Sequence, residues 1–249
     1  MCFEGMMYQT THFGDLIITK YVSARNVHVR FINTGYETTT EMGKIRNGGV
    51  KDRLAPSVFG IGVIGDAPIS VNGKTLKEYA LWGNVLARCY DENFHSKVPS
   101  YLGCSVSSNF RYFPYFKDWC SKQIGFDSKD EKGRSFALDK DILVKGNKVY
   151  SEDTCCFVPQ EINTLFMRKR AVGDDSKNSP FFSKYHDRYI SRMSKFGKFV
   201  HLGTFTSQTE AFSLYKDTKE VYIKEIANKW KDQIDPRVYD VLMNWEVQY

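Results

Sequence analysis

No stretch of this chain approaches the roughly 18 consecutive apolar residues that a membrane-spanning helix needs. The first residues, MCFEGMMYQTTHFGD, lack both the basic start and the apolar centre of a secretory signal. Neither a membrane span nor secretion is expected, and a reducing compartment is. Close cysteine pairs are missing as well. The six cysteines, Cys2, Cys89, Cys104, Cys120, Cys155 and Cys156, form no CxxC spacing, which structural zinc sites normally use. A scattered zinc site from Cys89, Cys104 and Cys120 with His95 and His201 stays open, but buried free thiols are the expectation. Internal repeats and low-complexity tracts are absent too.

What is present suits folding. Hydrophobic residues make up 42% of the 249 and aromatics 15%, enough for packed cores and against disorder. The net charge is +6, and its distribution says more than its size. Between Arg168 and Lys198 nine Lys/Arg stand against three Asp, an excess of six that equals the net charge of the whole chain. Basicity gathered in one stretch is what a phosphate-binding face requires.

Three stretches follow. Over residues 12–70 short strands alternate with glycine and turn signals. In NVHVRFINTG, Val27, Val29 and Phe31 alternate with His28, Arg30 and Ile32 before the turn residues Asn33-Thr34-Gly35. YETTT and GGVKD continue the pattern, and a small bent sheet or barrel is predicted. PSVFGIGVIGDAP reads as a structured covering loop.

The second stretch opens with Thr75-x-x-Glu78, a candidate capping box. Leu76, Tyr79, Trp82, Val85, Leu86 and Cys89 then fall on one helical face, and DENFHSKVPSYLG follows as a loop. FRYFPYFKDWCSKQIG predicts a second helix with Pro114 in its first turn. Its aromatics read as core in preference to base-stacking residues. Next come strand-like FALDKDILV, a turn at KGNK, strand-like VYSEDTCCFVP and helical QEINTLFM. The third stretch holds the basic RKR, a hairpin around Phe196-Gly197 and a second capping box, Ser207-x-x-Glu210. A long helix follows, striped by Ala211, Leu214, Tyr215, Tyr222, Ile226 and Trp230, and DPRVYDVLMNW closes the chain as a short helix.

The expected fold class is α+β. It comprises an N-terminal β-rich module over 1–70, a central strand–turn–strand–helix module over 71–167 and a small sheet packed on one long helix over 168–249.

Two of these segments resemble known families. LDKDILVKGNKVYSEDTCCFVPQEIN, with WGNVLARCYD and YLGCSV upstream, resembles the ββα core of HNH nucleases, especially phage-encoded homing-endonuclease-like proteins. That resemblance implies phosphodiester hydrolysis with one divalent metal and a general base. By position Asp139 takes the metal-ligand slot, Lys140 the slot of the general-base histidine, and Asn163 the helix ligand slot. Asp141 supports the metal, which would be Mg²⁺ or Mn²⁺ in an active enzyme. Lys140 departs from the pattern, because an ammonium has no lone pair to take a proton. Asn147 lies close to the position of the family's structural turn asparagine.

DRYISRMSKFGKFVHLGTFTSQTEAFSLYKDTKE resembles the APETALA/ethylene-response-factor type of DNA-binding domain, which also occurs at the C-terminus of phage HNH proteins. The resemblance implies a sheet lying in the major groove of double-stranded DNA. Arg188, Arg192, Lys195 and Lys198 are the candidate contacts, with Tyr185 as a stacking or phosphate contact. The N-terminal segment is similar to the leading part of the same phage proteins, and Arg30, Lys44, Arg46 and Lys51 would extend a DNA track.

Two functions of different class follow. One is a DNA-binding, metal-dependent endonuclease acting in the host cytoplasm. The other is a non-cleaving factor on the same scaffold that binds DNA or a host protein complex of defence or transcription. A sequence-specific regulator is a third.

Overall fold

Alternation builds the first sheet. In this computed structural model, which describes residues 3–166, 182–195 and 197–248, Val27, Val29 and Phe31 are all fully buried, while Ile32 beyond them is half exposed. They lie on β3 (Asn26–Phe31), which pairs antiparallel with β2 (Asp15–Ser23) and β4 (Glu37–Thr40); β1 (Met7–Gln9) completes the meander. Leu16 and Ile18 of β2 meet them, closed by Met42, Ile45 and Val50. Two bulges bend β2, and the sheet runs open from β1 to β4 and does not close into a barrel. GGVKD is not a strand. Helix α1 (Met42–Arg46) precedes it, and the glycines end that helix: Gly48 N–H donates to Ile45 O and Gly49 N–H to Lys44 O.

The expected covering loop contains a short hairpin, β5 (Pro56–Val58) with β6 (Gly62–Val63). Gly62 lies against the ring of Trp82, where a Cβ would come within 2.8 Å. A second hairpin, β7 (Ser70–Val71) with β8 (Lys74–Thr75), turns at Asn72-Gly73, both in the left-handed region. That hairpin displaces the expected cap. Thr75 is committed to pairing with Ser70, so α2 (Lys77–Tyr90) starts after Leu76 with no side-chain cap.

Trp82, Val85, Leu86 and Cys89 bury one face of α2, against α4 (Phe113–Ser121), which carries Pro114 in its first turn. Trp82 Nε1 donates to Phe110 O at 2.7 Å, and Phe110, Phe113 and Phe116 are fully buried core, whereas Tyr112 and Tyr115 of the same segment are exposed. Between the two helices the expected loop is partly helical, with α3 (Glu92–Lys97) capped by the Asp91 carboxylate. β9 (Ser105–Val106) pairs in parallel with Val149–Tyr150, which is β11 in chain order.

β10 (Ala137–Asp139) pairs antiparallel with β12 (Cys156–Val158), followed by α5 (Gln160–Asn163). The strand–turn–strand–helix order is therefore present, but the expected second strand is split. Its first half, β11, pairs with β9, and only its second half pairs with β10.

In the C-terminal stretch β13 (Phe182–Tyr185), β14 (Arg188–Lys195) and β15 (Lys198–Phe205) form an antiparallel sheet. Helix α6 (Gln208–Trp230) packs on it, its first turn capped by Ser207 Oγ accepting from Glu210 N–H. α7 (Pro236–Met243) is capped by Asp235, with Pro236 in its first turn. The fold class is α+β. Among the described residues no helix is long and apolar enough to cross a membrane.

Packing groups the chain into two compact units, one of 1–121 with 148–152 and one of 122–147 with 153–249. The second unit joins the β10–β12–α5 element to the C-terminal sheet and helix. Phe136 meets Trp230 edge-on at 5.7 Å, and Glu161 Oε2 accepts from both Lys229 Nζ and Trp230 Nε1 at 2.9 Å. The motif boundaries at 70/71 and 167/168 follow sequence signatures; the packing follows different lines.

Candidate nucleic-acid interface

Asp139 ends β10. Its Oδ1 accepts the backbone N–H groups of Asp141 at 2.7 Å and Ile142 at 2.8 Å, bending the chain out of the strand. Burial raises its carboxyl above the ordinary aspartate value, although the two N–H donors pull the other way. Lys140 turns inward, its side chain only 9% exposed. Its ammonium pairs with Asp141 Oδ1 and donates to Asn147 O at 2.8 Å, while Asn147 Nδ2 donates back to Lys140 O at 2.8 Å. This reciprocal clasp, which sequence reasoning left without partners, fixes the loop after β10. Asn163 ends α5, half-buried, on a helix that packs against β10 and β12.

A divalent ion of the Mg²⁺ or Mn²⁺ class needs several oxygens converging on one point. Two of the candidate oxygens are already engaged. Asp139 Oδ1 is taken by two backbone donors, Asp141 Oδ1 by an ammonium, and a cation beside Asp141 would meet the Lys140 charge. The described residues contain no group of three or more His, Cys, Asp or Glu placed to share a metal ion. Cys89, Cys104, Cys120, Cys155 and Cys156 form no disulfide and are buried, and burial pushes the Cys156 thiol far up, so it stays protonated and unreactive.

The C-terminal sheet is different. Its three strands, FSKY, RYISRMSK and KFVHLGTF, carry five Lys/Arg and no Asp or Glu. Strand alternation sorts these cations between two faces. Ser191 and Met193 are buried, and Lys195 lies in phase with them. Its ammonium sits 2.7 Å from Glu225 Oε2 and 5.1 Å from the Tyr222 ring centre, both on α6. Lys195 therefore lies apart from the other candidate contacts, against the helix. Arg188 and Arg192 are exposed on the opposite face, and Lys198 is exposed beside the hairpin turn. Tyr185 closes β13, its backbone paired with Arg188. The cluster of Arg168, Lys169, Arg170 and Lys177 lies outside the described residues.

Two further residues lie on the exposed face, one that sequence reasoning considered only for zinc and one that it missed. His201 is directly opposite Arg192, and Phe199 is opposite Ser194. Phe199 is 69% exposed, with the Arg192 guanidinium 5.8 Å from its ring centre. Alternation along β15 was the available signal, but the bulge between Ser191 and Arg192 shifts the pairing and hides the register.

Arg30, in the N-terminal sheet, is exposed but paired in register with Glu37, which offsets its charge. No family model, no curated protein and no solved structure matches this chain.

Proposed function

We propose that this protein binds double-stranded DNA through the exposed face of the β13–β14–β15 sheet, and that it is a non-cleaving member of the phage HNH homing-endonuclease type. The observation that carries the reading is a three-stranded sheet with five cations and no acid, whose open face presents Arg188, Arg192 and His201 around an exposed phenylalanine. Arginine forks suit guanine edges and phosphates, and an exposed ring suits base faces or the thymine methyl. The β10–β12–α5 element acts as a structural partner of α6. Its Lys140 holds a loop where a nuclease needs a base, and Asp139 orders the backbone. In this reading the protein works in the host cytoplasm and sits on the nucleoid when DNA-bound.

A mobility-shift assay on duplex DNA, run beside a nicking assay on supercoiled plasmid with Mg²⁺ or Mn²⁺, tests both halves. Retarded duplex with intact plasmid is the expected result. Absence of any shift removes the binding claim, and nicking that disappears in Asp139→Ala removes the non-cleaving claim.

A second reading is favoured by Phe199, 69% exposed on the face that carries Arg192. An exposed ring beside cations also fits an acidic groove on a host protein. Competition separates the readings, since duplex DNA displaces a protein partner only if they share this face.

A further inference from the structure

We infer that Arg88 and Lys148 form a phosphate-binding site in the first unit, a contact for the DNA backbone separate from the C-terminal sheet. This inference rests on the DNA-binding reading above for the source of the phosphate, though the anion site stands on its own geometry.

Arg88 lies in the last turn of α2 and is half-buried. A guanidinium has five N–H donors and is costly to desolvate without an anion. The protein offers Arg88 little. Nη1 is 3.5 Å from the Tyr150 hydroxyl, at the limit of a hydrogen bond, and the guanidinium carbon lies 5.6 Å from the Tyr101 ring centre. Among the described residues it has no carboxylate partner, and two acids of the same unit, Asp91 and Glu152, are committed elsewhere. Asp91 caps α3 through Asn93 N–H at 2.9 Å. Glu152 accepts from Ser107 Oγ at 2.9 Å and the Tyr115 hydroxyl at 3.1 Å, and from Asn109 Nδ2 as well.

The Arg88 head group is also held in place. Tyr101, beneath it, is wedged edge-on against Phe94 at 5.5 Å, and the backbone carbonyl of Arg88 is hydrogen-bonded to His95 Nε2 at 2.8 Å. Lys148 reaches the same short turn, Pro99–Tyr101. Its Nζ donates to Ser100 O at 2.6 Å, and among the described residues it too lacks an acidic partner. Two cations without counter-ions thus flank one turn, one planar and stacked, the other exposed on a flexible stem. A bidentate fork beside a point charge suits a tetrahedral phosphate diester.

The test uses the full chain. Duplex affinity is measured across a salt series for wild type, Arg88→Gln, Lys148→Gln, the double variant and Arg88→Lys, with the Arg88 Nε–Hε resonance followed by NMR. Loss of the one phosphate held at this site makes the slope of log affinity against log salt shallower by about 0.9 in the double variant. Arg88→Lys keeps most of the slope. An unchanged slope in the double variant overturns the inference. Should the variants unfold, movement of the wild-type Arg88 resonance on adding duplex supports the site, and a static resonance overturns it. If wild type ignores DNA altogether, the DNA reading has failed, and titration with inorganic phosphate then decides the anion site by the same resonance.

Discussion

The turn at Asp139–Asp141 and the sheet of β14 and β15 lie in one packing unit and are both rich in charge, yet they treat it in opposite ways. In the turn nearly every charge has an internal partner: Asp139 holds two backbone amides, and Lys140 holds Asp141 and the Asn147 carbonyl. On the open face of the sheet, Arg188 has no ion-pair partner among the described residues and Arg192 lies against a phenylalanine ring; Lys198, at the hairpin turn in register with Lys195, has no ion-pair partner among the described residues either. Charge that is already satisfied orders the backbone. Charge that is left over attracts a ligand, and here it is left over on a face without acids.

This contrast can be broken or sharpened by substitution. The largest effect is expected from Arg188→Ala/Arg192→Ala. Losing two groups placed for bases or phosphates should cost about 2–4 kcal/mol of binding, roughly 30- to 1,000-fold in affinity. Thermal unfolding should stay unchanged, since both side chains are exposed. Fluorescence anisotropy with labelled duplex reads the first and calorimetry the second. Lys140→Ala should do the reverse. It removes the Lys140 donor from the Asn147 carbonyl and the ammonium from Asp141, costs about 1–3 kcal/mol of stability and leaves DNA affinity alone, as urea unfolding and anisotropy would show.

A smaller effect comes from Lys219 on α6. Burial lowers its pKa to about 8, and its Nζ donates to Leu165 O at 2.9 Å. A lysine whose folded pKa is depressed binds fewer protons in the folded state than in the unfolded one. Its contribution is present above the ordinary lysine value and is lost as pH falls through about 8. Stability measured in urea should therefore rise between about pH 8 and 10 relative to Lys219→Met, in which that rise disappears. The smallest effect separates two lysines at the same hairpin tip. Lys195→Ala should change affinity by less than about threefold because its ammonium already faces Glu225, whereas Lys198→Ala removes about one phosphate contact from the salt slope.

Much of the fold was legible in the sequence, because burial leaves a local period. Val27, Val29 and Phe31 announced a half-buried strand. Trp82, Val85, Leu86 and Cys89 announced a helix, and most of the α6 stripe is buried as expected. What escaped was non-local. Val149–Tyr150 pairs with Ser105–Val106, more than 40 residues away, and no period in either segment shows it. The cap expected at Thr75 failed because a hairpin turn next to it claimed the residue first. The candidate site divides in the same way. Resemblance to two families singled out Asp139, Lys140, Arg188 and Arg192 as candidates. Only the packed structure reveals that Lys195 is held by Glu225, that Lys140 clasps Asn147, and that Phe199 stands open beside Arg192.

The most direct test of the leftover-charge account is the duplex affinity of the wild-type chain measured from dilute to physiological salt. With Arg188, Arg192 and Lys198 each displacing a counterion, log affinity should fall against log salt with a slope of about −2.7 or steeper. A chain that ignores duplex DNA in dilute buffer, or binds it with no dependence on salt, would contradict the account.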